Sequence, residues 1–440
     1  VQLKSFRLNF ILFFGLFFTA GVIILVASFF AKQTLILKPE SKEEIAKRFA
    51  PENAFFTLKE AKSLMPQNPS FLMAPGEGDD KFVQKYKPRK GSLGSISGVE
   101  RPDNDPLLLD YLMNSTQAIA KAKEALNHPY FLCPTDFNKA HTQDHFEYDY
   151  SCYQLSPPAR VMVARGVQSF RSGDEAAAIT NIIDGVKIVL LLRSDGGLFV
   201  TRINDLVVNL LSCSNELLTK ASDSTLEKFQ SEIYALRDRV QTPTHEMEFF
   251  FRSIVTQNPW AYSDQEAPLI QKAYIKAVDA YQIQSIRVQA RRQMRELLDL
   301  TKRPYPEFYS WFYGPTHDNN KNSHVQYKGF LADQAFYRVR NYTEIVASIN
   351  ASTLTIAIER AHRATGVYPE TLDSLSPRFI AELPQDPFTG KSFIYIREGD
   401  SYQLYSIGGN LTDDTAGKQI EIEEIHQGDD LIYHWSKPMN

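Results

Sequence analysis

Thr343 to Asn410 reads TEIVASINASTLTIAIERAHRATGVYPETLDSLSPRFIAELPQDPFTGKSFIYIREGDSYQLYSIGGN, and the order of its signals decides the fold class. Ile345, Ile349, Ile356, Ala357, Ala361 and Ala364 recur at helical spacing, and Gly366 stands where a left-handed C-cap stops a helix. Two turn-rich stretches follow, Tyr368 to Leu375 and Leu383 to Lys391. Phe393 to Arg397 and Tyr402 to Ile407 then flank Glu398-Gly399-Asp400-Ser401, the pattern of a β-hairpin. A last strand-like run, DDLIYHW, closes at Trp435. The expectation is a small α+β unit with an antiparallel sheet over residues 343–440.

Upstream of it, helical patterns dominate from Leu107 to about Leu300. Leu108, Tyr111, Leu112, Ile119, Ala122 and Leu126 mark one helix, and Val161 to Phe170 a second. Ser172-Gly173-Asp174 breaks and recaps the chain before Ile179, Ile182, Ile183, Val186, Val189 and Leu190. After Asp195-Gly196-Gly197, Val200 to Leu218 continues the pattern. Ser224 with Glu227 reads as a capping box, and Thr242-Pro243 places Pro at a first helical position. Short connections between helices predict antiparallel neighbours, hence an α-hairpin array over residues 107–342. No 34-residue period marks a tetratricopeptide repeat.

At the amino end no charge interrupts Leu8 to Ala31, which would rise about 36 Å as a helix against a hydrocarbon core of about 30 Å. Residues 1–38 are therefore expected to be an uncleaved transmembrane anchor, touching lipid through one span. Lys4 and Arg7 precede it; Lys32, Lys38, Lys42, Lys47 and Arg48 follow, and charge alone slightly favours a cytoplasmic body. Residues 39–106 read as stalk and linker. Ser41-Lys42-Glu43-Glu44 predicts a short helix to about Ala50, Asn53 to Met65 a second, and the Gly-, Pro- and Ser-rich run from Pro66 to Pro106 a linker.

A chain of 440 residues with 43% hydrophobic content can bury a large core, and a net charge of −4 offers nothing to nucleic acid. Cys133 and Cys152 bracket a polar, aromatic loop. A bridge between them would close about twenty residues, worth roughly 3 kcal/mol, and would need an oxidising compartment. Cys213 lies in an apolar helical run and reads as a core residue. Three cysteines leave the pairing open.

The stretches TGVYPETLDSL, LPQDPFTGKSFIYI, YQLYSIGGN and DDLIYHW together resemble the soluble end of the major pseudopilin of type II secretion. The resemblance implies a body on the periplasmic side of the inner membrane and a place in a secretion or pilus-like machine. It also implies calcium, because Asn410, Asp413 and Asp414 follow the YSIGGN turn while Asp429 and Asp430 precede LIYHW. Here the insertion TAGKQIEIEEIHQG parts the two halves, and the prepilin processing motif is missing before the apolar stretch. More widely, the chain looks like large single-anchor proteins of planctomycetes and related bacteria that end in such a tail, a likeness that carries architecture and no activity.

Other candidate chemistry has a plainer reading beside it. His141, Asp144, His145 and Glu147 could bind a metal, but sit in a polar loop. His245-Glu246 lacks the second histidine of a metalloprotease helix, since Phe249 takes that place; Gly390-Lys391-Ser392 lacks the upstream glycine of a phosphate loop, where Gln385 stands. Nucleotide binding is not expected. The aromatic run Tyr305, Tyr309, Trp311 and Tyr313, with Arg291 and Arg295, reads either as a docking patch for a protein partner or as a loop packed on its own bundle. The functional expectation is a non-catalytic membrane-anchored assembly protein. The alternatives are an accessory subunit of another membrane complex and, third, a cell-envelope enzyme.

Overall fold

The computed structural model describes residues 41–66, 106–134, 154–193, 220–248, 294–313, 325–414 and 431–435, together with positions 207, 211 and 218. These residues are mostly helical and carry one small antiparallel sheet near the carboxyl end. Among them, no helix is long and apolar enough to cross a membrane. The apolar stretch Leu8 to Ala31 and the glycine-rich linker lie outside the described residues, as do Cys152 and the histidine-rich loop.

Helix α1 (Lys42–Arg48) begins on the capping box read from the sequence: Ser41 Oγ accepts from the Glu44 amide at 3.1 Å, and the Ser41 amide donates to Glu44 Oε2 at 2.7 Å. Helix α2 (Ala54–Ser63) is capped by Asn53, which is fully buried. Asn53 Oδ1 accepts from Phe55 and Leu132 amides, and its Nδ2 donates to the carbonyls of Arg48 and Leu132. Both amide hydrogens and the carbonyl oxygen are thus used, so hydrogen bonds offset the desolvation of this buried polar group. The consequence corrects the expected stalk. Ala54, Phe55, Leu58 and Ala61 join the same core as the helices that follow, so residues 41–66 are part of the body.

Helices α3 (Pro106–Asn114) and α4 (Thr116–Ala125) replace the single helix expected there, broken at the buried Ser115, whose hydroxyl returns to the Tyr111 carbonyl. Helices α5 (Pro157–Arg171) and α6 (Glu175–Arg193) pack along each other, joined by Gly173 at φ 89° and capped by Asp174 as the sequence predicts. Two glycines set their spacing. A Cβ on Gly166 would meet Ile182 Cγ1 at 2.7 Å and the Ala178 carbonyl at 2.9 Å; one on Gly185 would meet Val163 Cγ2 at 2.7 Å and the Ala159 carbonyl at 2.8 Å. Helix α6 is apolar nearly all round and sits inside the core, as such a helix must. Helix α7 (Asp223–Ala235) is capped by Ser222, not by Ser224 as the sequence suggested, because Ser222 holds the extended backbone that a cap needs and its Oγ accepts from the Thr225 amide.

Past a helical run at 243–248 opened by Thr242-Pro243, and another at 294–300, comes helix α8 (Tyr305–Tyr313). Helix α9 (Val325–Thr365) then runs for 41 residues, about 60 Å, and ends at Gly366 with φ 78°. It passes straight through the boundary expected at 342/343. Ile345, Val346, Ile349 and Ile356 serve the core of the body, while Phe336, Val339, Ala351, Leu354, Ala357 and Ile358 serve a second core. The short polar residues buried along it, Thr343, Ser348 and Thr353, return their hydroxyls to carbonyls one turn back, at 2.7 to 2.8 Å.

Against this helix lies the sheet, in order β1 (Ile394–Glu398), β2 (Ser401–Ser406), β3 (Leu431–Trp435), all antiparallel. The hairpin is where the sequence placed it: Glu398 pairs with Ser401 across Gly399-Asp400, with Gly399 at φ 59°. Tyr402 and Leu404 point into the second core with Leu372, Leu375 and Phe388.

Candidate functional site

Beyond β2 the chain turns at Gly408, φ 66°, whose amide donates to Ser406 Oγ at 3.1 Å. In the turn that follows, Asn410, Asp413 and Asp414 are brought together. Asn410 Oδ1 accepts from the Thr412 amide at 2.8 Å and its Nδ2 donates to Asp414 Oδ2 at 2.8 Å; the Tyr405 hydroxyl lies 3.4 and 3.5 Å from the carboxylate oxygens of Asp413. Calcium takes six to eight oxygens. The described turn offers two carboxylates and the Asn410 carbonyl oxygen, which accepts one backbone amide and keeps a second lone pair. That is too few alone, and Asp429 and Asp430, which would complete the set, lie outside the described residues.

The aromatic run is a helix, and its members divide. Tyr305 is buried: its hydroxyl donates to the Gly409 carbonyl at 2.8 Å, and its ring meets Phe388 edge-on at 4.8 Å. It holds the turn after β2 in place and cannot dock a partner, which corrects its assignment to a docking patch. Phe308 is also buried, against Phe336. Tyr309, Trp311 and Phe312 are half-buried, whereas Tyr313 is 60% exposed and Tyr337 of α9 54% exposed. Tyr313 contacts Tyr309 at 4.7 Å, Phe312 at 5.0 Å and Phe336 at 5.5 Å, so the outward aromatic face rests on a packed aromatic base. Arg295 is exposed nearby in sequence; Arg291 lies outside the described residues.

Three carboxylates are buried, and of these the sequence reading singled out Glu246 alone, as part of an incomplete metalloprotease motif. Glu359, in α9, accepts from the Tyr402 hydroxyl at 3.1 Å and the Tyr368 hydroxyl at 3.5 Å, and His362 stacks on the Tyr368 ring at 4.0 Å. Burial pushes the Glu359 carboxyl up, against the pull of Tyr402, His362 and Arg363, and burial beside Glu359 pushes the Tyr368 phenol to about 12. Asp386 accepts from the Phe388 amide at 3.0 Å and from Ser406 Oγ at 2.9 Å, and burial likewise raises its carboxyl. It closes the turn that contains Gly390-Lys391-Ser392, with the Gly390 amide donating to the Asp386 carbonyl.

Glu246 lies fully buried against Arg193 at 2.8 Å. Among the described residues no other side-chain hydrogen-bond partner lies beside either group. Burial raises the Glu246 carboxyl, while Arg193 and then Arg338 oppose the rise. Each of the three acids is turned inward, onto phenols, backbone amides or a guanidinium. What they do chemically is hold elements together. A single glutamate in the middle of an apolar helical stripe, as at Glu359, was the one sign of this in the sequence.

No family model, curated protein or solved structure matches the chain.

The remaining polar cluster ties body to tail. Arg360 of α9 donates to Asp223 at 3.0 Å, to Gln230 Oε1 at 3.0 Å and to the Phe379 carbonyl at 3.4 Å, and Gln230 donates to the same carbonyl at 3.1 Å. One turn on, Arg363 donates to the Ala221 and Leu218 carbonyls just before the α7 cap, where a cation suits backbone acceptors left over at a helix end. Ser222, between them, is held by Glu175 of α6 at 2.6 Å.

Proposed function

We propose that this chain is a non-catalytic structural or assembly protein, anchored in the inner membrane by Leu8 to Ala31 with its folded part on the periplasmic side, and working as a component of a secretion or pilus-like machine. The observation that supports this best is the sharing of α9 between two cores. A helix buried on two sides, and tied near its end by Arg360 and Arg363, joins body and tail through one continuous element. That suits a part that must hold a shape. The inward use of Glu246, Glu359 and Asp386 agrees with it, because a general acid or base must reach a substrate proton.

The membrane side is tested in spheroplasts. An impermeant protease is expected to cut the chain there; protection of residues 41–440 until the cells are lysed would overturn the periplasmic placement. Mild detergent extraction followed by purification is expected to bring down components of a secretion or pilus-like assembly. Recovery of a different membrane complex would favour the accessory-subunit reading, for which the exposed Tyr313 and Tyr337 offer a contact face.

Calcium belongs to the same proposal. Asn410, Asp413 and Asp414, joined by Asp429 and Asp430, would hold the ion, which would screen carboxylates that otherwise repel. Because the tail shares α9 with the body, the full chain is the proper sample. Millimolar Ca²⁺ is expected to raise the melting temperature of the wild type and not of Asp414→Ala; no change in either removes the site.

A further inference from the structure

The point at which the chain enters its fold constrains how the body sits on a bilayer. Arg48, at the end of α1, is buried and donates to the Cys133 carbonyl at 3.1 Å; Asn53 bridges to Leu132, and residues 53 and 130 pair as strands do. Lys121 binds Glu60 at 3.1 Å, and Lys62 binds Gln154 at 2.9 Å. The first helices are therefore docked firmly on the body. Residues 32–40 separate them from the apolar stretch, and that much chain reaches at most about 30 Å when fully extended. If Leu8 to Ala31 spans the bilayer, as the functional reading holds, the start of α1 lies within about 30 Å of the end of that span, close enough for the α1–α2 edge to reach the membrane surface.

Two phenylalanines stand outward on that edge. Phe49, the C-cap of α1, is 52% exposed and Phe56 of α2 is 37% exposed, although the neighbouring Phe55 packs inward on Phe131. Around them Lys42, Lys47, Lys59 and Lys62 are matched by Glu43, Glu44, Glu52 and Glu60, all exposed except the half-buried Lys62. An edge with balanced charge and outward rings is suited to the headgroup boundary of a phospholipid bilayer through its rings, not through attraction to anionic lipid. We infer that Phe49 and Phe56 insert into the lipid interface and fix the body against the membrane. This inference rests on the membrane-anchor reading. The rival lipid-facing surface is the aromatic face at Tyr313 on the second core.

The test uses the full chain reconstituted in phosphatidylcholine vesicles with brominated acyl chains, first washed with alkaline carbonate. Phe49→Trp, Phe56→Trp and Tyr313→Trp are each compared with the unsubstituted chain. The added indole at 49 or 56 is expected to emit at shorter wavelength and to lose at least half its intensity to the brominated lipid, equally at low and high salt, while that at 313 is unaffected. Quenching at 313 and not at 49 or 56, or no quenching at 49 and 56 in a chain that stays with the vesicles, overturns the inference and leaves the span intact. Release of the chain by carbonate defeats the span, and the inference with it.

Discussion

The phenol of Tyr305 and the carbonyl of Gly409 meet at 2.8 Å in the protein interior, joining the aromatic helix α8 to the turn that leads into the acidic residues after β2. Gly409 leaves room for two side chains: a Cβ there would lie 2.9 Å from Arg340 Nε and 3.2 Å from the Tyr305 hydroxyl. Tyr305→Phe leaves that carbonyl buried without its donor, at a cost of about 1 to 3 kcal/mol. Gly409→Ala should cost less, because the atoms its methyl would meet are the ends of side chains that can shift. Denaturant midpoints unchanged in both variants would show that the contact contributes nothing.

Gly185→Ala and Gly166→Ala are expected to destabilise the body by about 1 to 3 kcal/mol each, since the new methyl meets backbone carbonyls that cannot rotate away. Gly173→Ala is different in kind. Space is open around it, so its cost is that of a positive φ alone, about 1 kcal/mol. If Gly173→Ala proved the most damaging of the three by thermal unfolding, the close approach of α5 and α6 would be wrong.

Arg193 and Glu246 form a buried pair whose parts are not separable. Glu246→Ala should cost about 3 to 5 kcal/mol by stranding a guanidinium in the core, whereas Arg193→Met with Glu246→Leu should come close to wild type. A double variant less stable than Glu246→Ala would contradict this account.

Among the partners of Arg360, the buried amide should matter more than the exposed acids. Asp223 and Glu227 are 61% and 70% exposed at the side chain, so their coupling to Arg360 should stay below about 1 kcal/mol. The Arg360–Gln230 coupling should reach about 1.5 to 3 kcal/mol, as for a hydrogen bond to a charged group out of water. Double-mutant cycles in urea give both values, and the reverse ranking would sink the claim.

Glu359 predicts a dependence on pH with a definite sign. Its carboxyl is raised by burial, so the folded protein binds that proton more tightly than the unfolded chain does. The stability it contributes is fully present below the unfolded glutamate value of about 4.3 and is lost as pH rises through the folded value. Glu359→Gln keeps the neutral form at every pH. The melting temperature of the wild type should therefore fall relative to Glu359→Gln from pH 4 upward, and a constant difference would mean that the carboxyl is not perturbed.

Local signals in the sequence were sufficient wherever a few neighbouring residues set the backbone. The capping box at Ser41 and Glu44, the stop at Gly366, the break at Gly173 and the hairpin around Gly399 all depend on propensities and bonds within four residues, and each is found where the pattern put it. What residues 41–66 touch, and where body gives way to tail, depended instead on contacts far apart in the chain. Asn53 looks like any helix cap until Leu132 approaches it, and α9 looks like a tail helix until the helices of the body cover its other side. Tyr305 and Glu359 show the same limit for the candidate site. An aromatic or a carboxylate has the same spacing in sequence whether it faces a partner, a substrate or its own fold; only the tertiary structure, by supplying Gly409 and Tyr402, turned both inward.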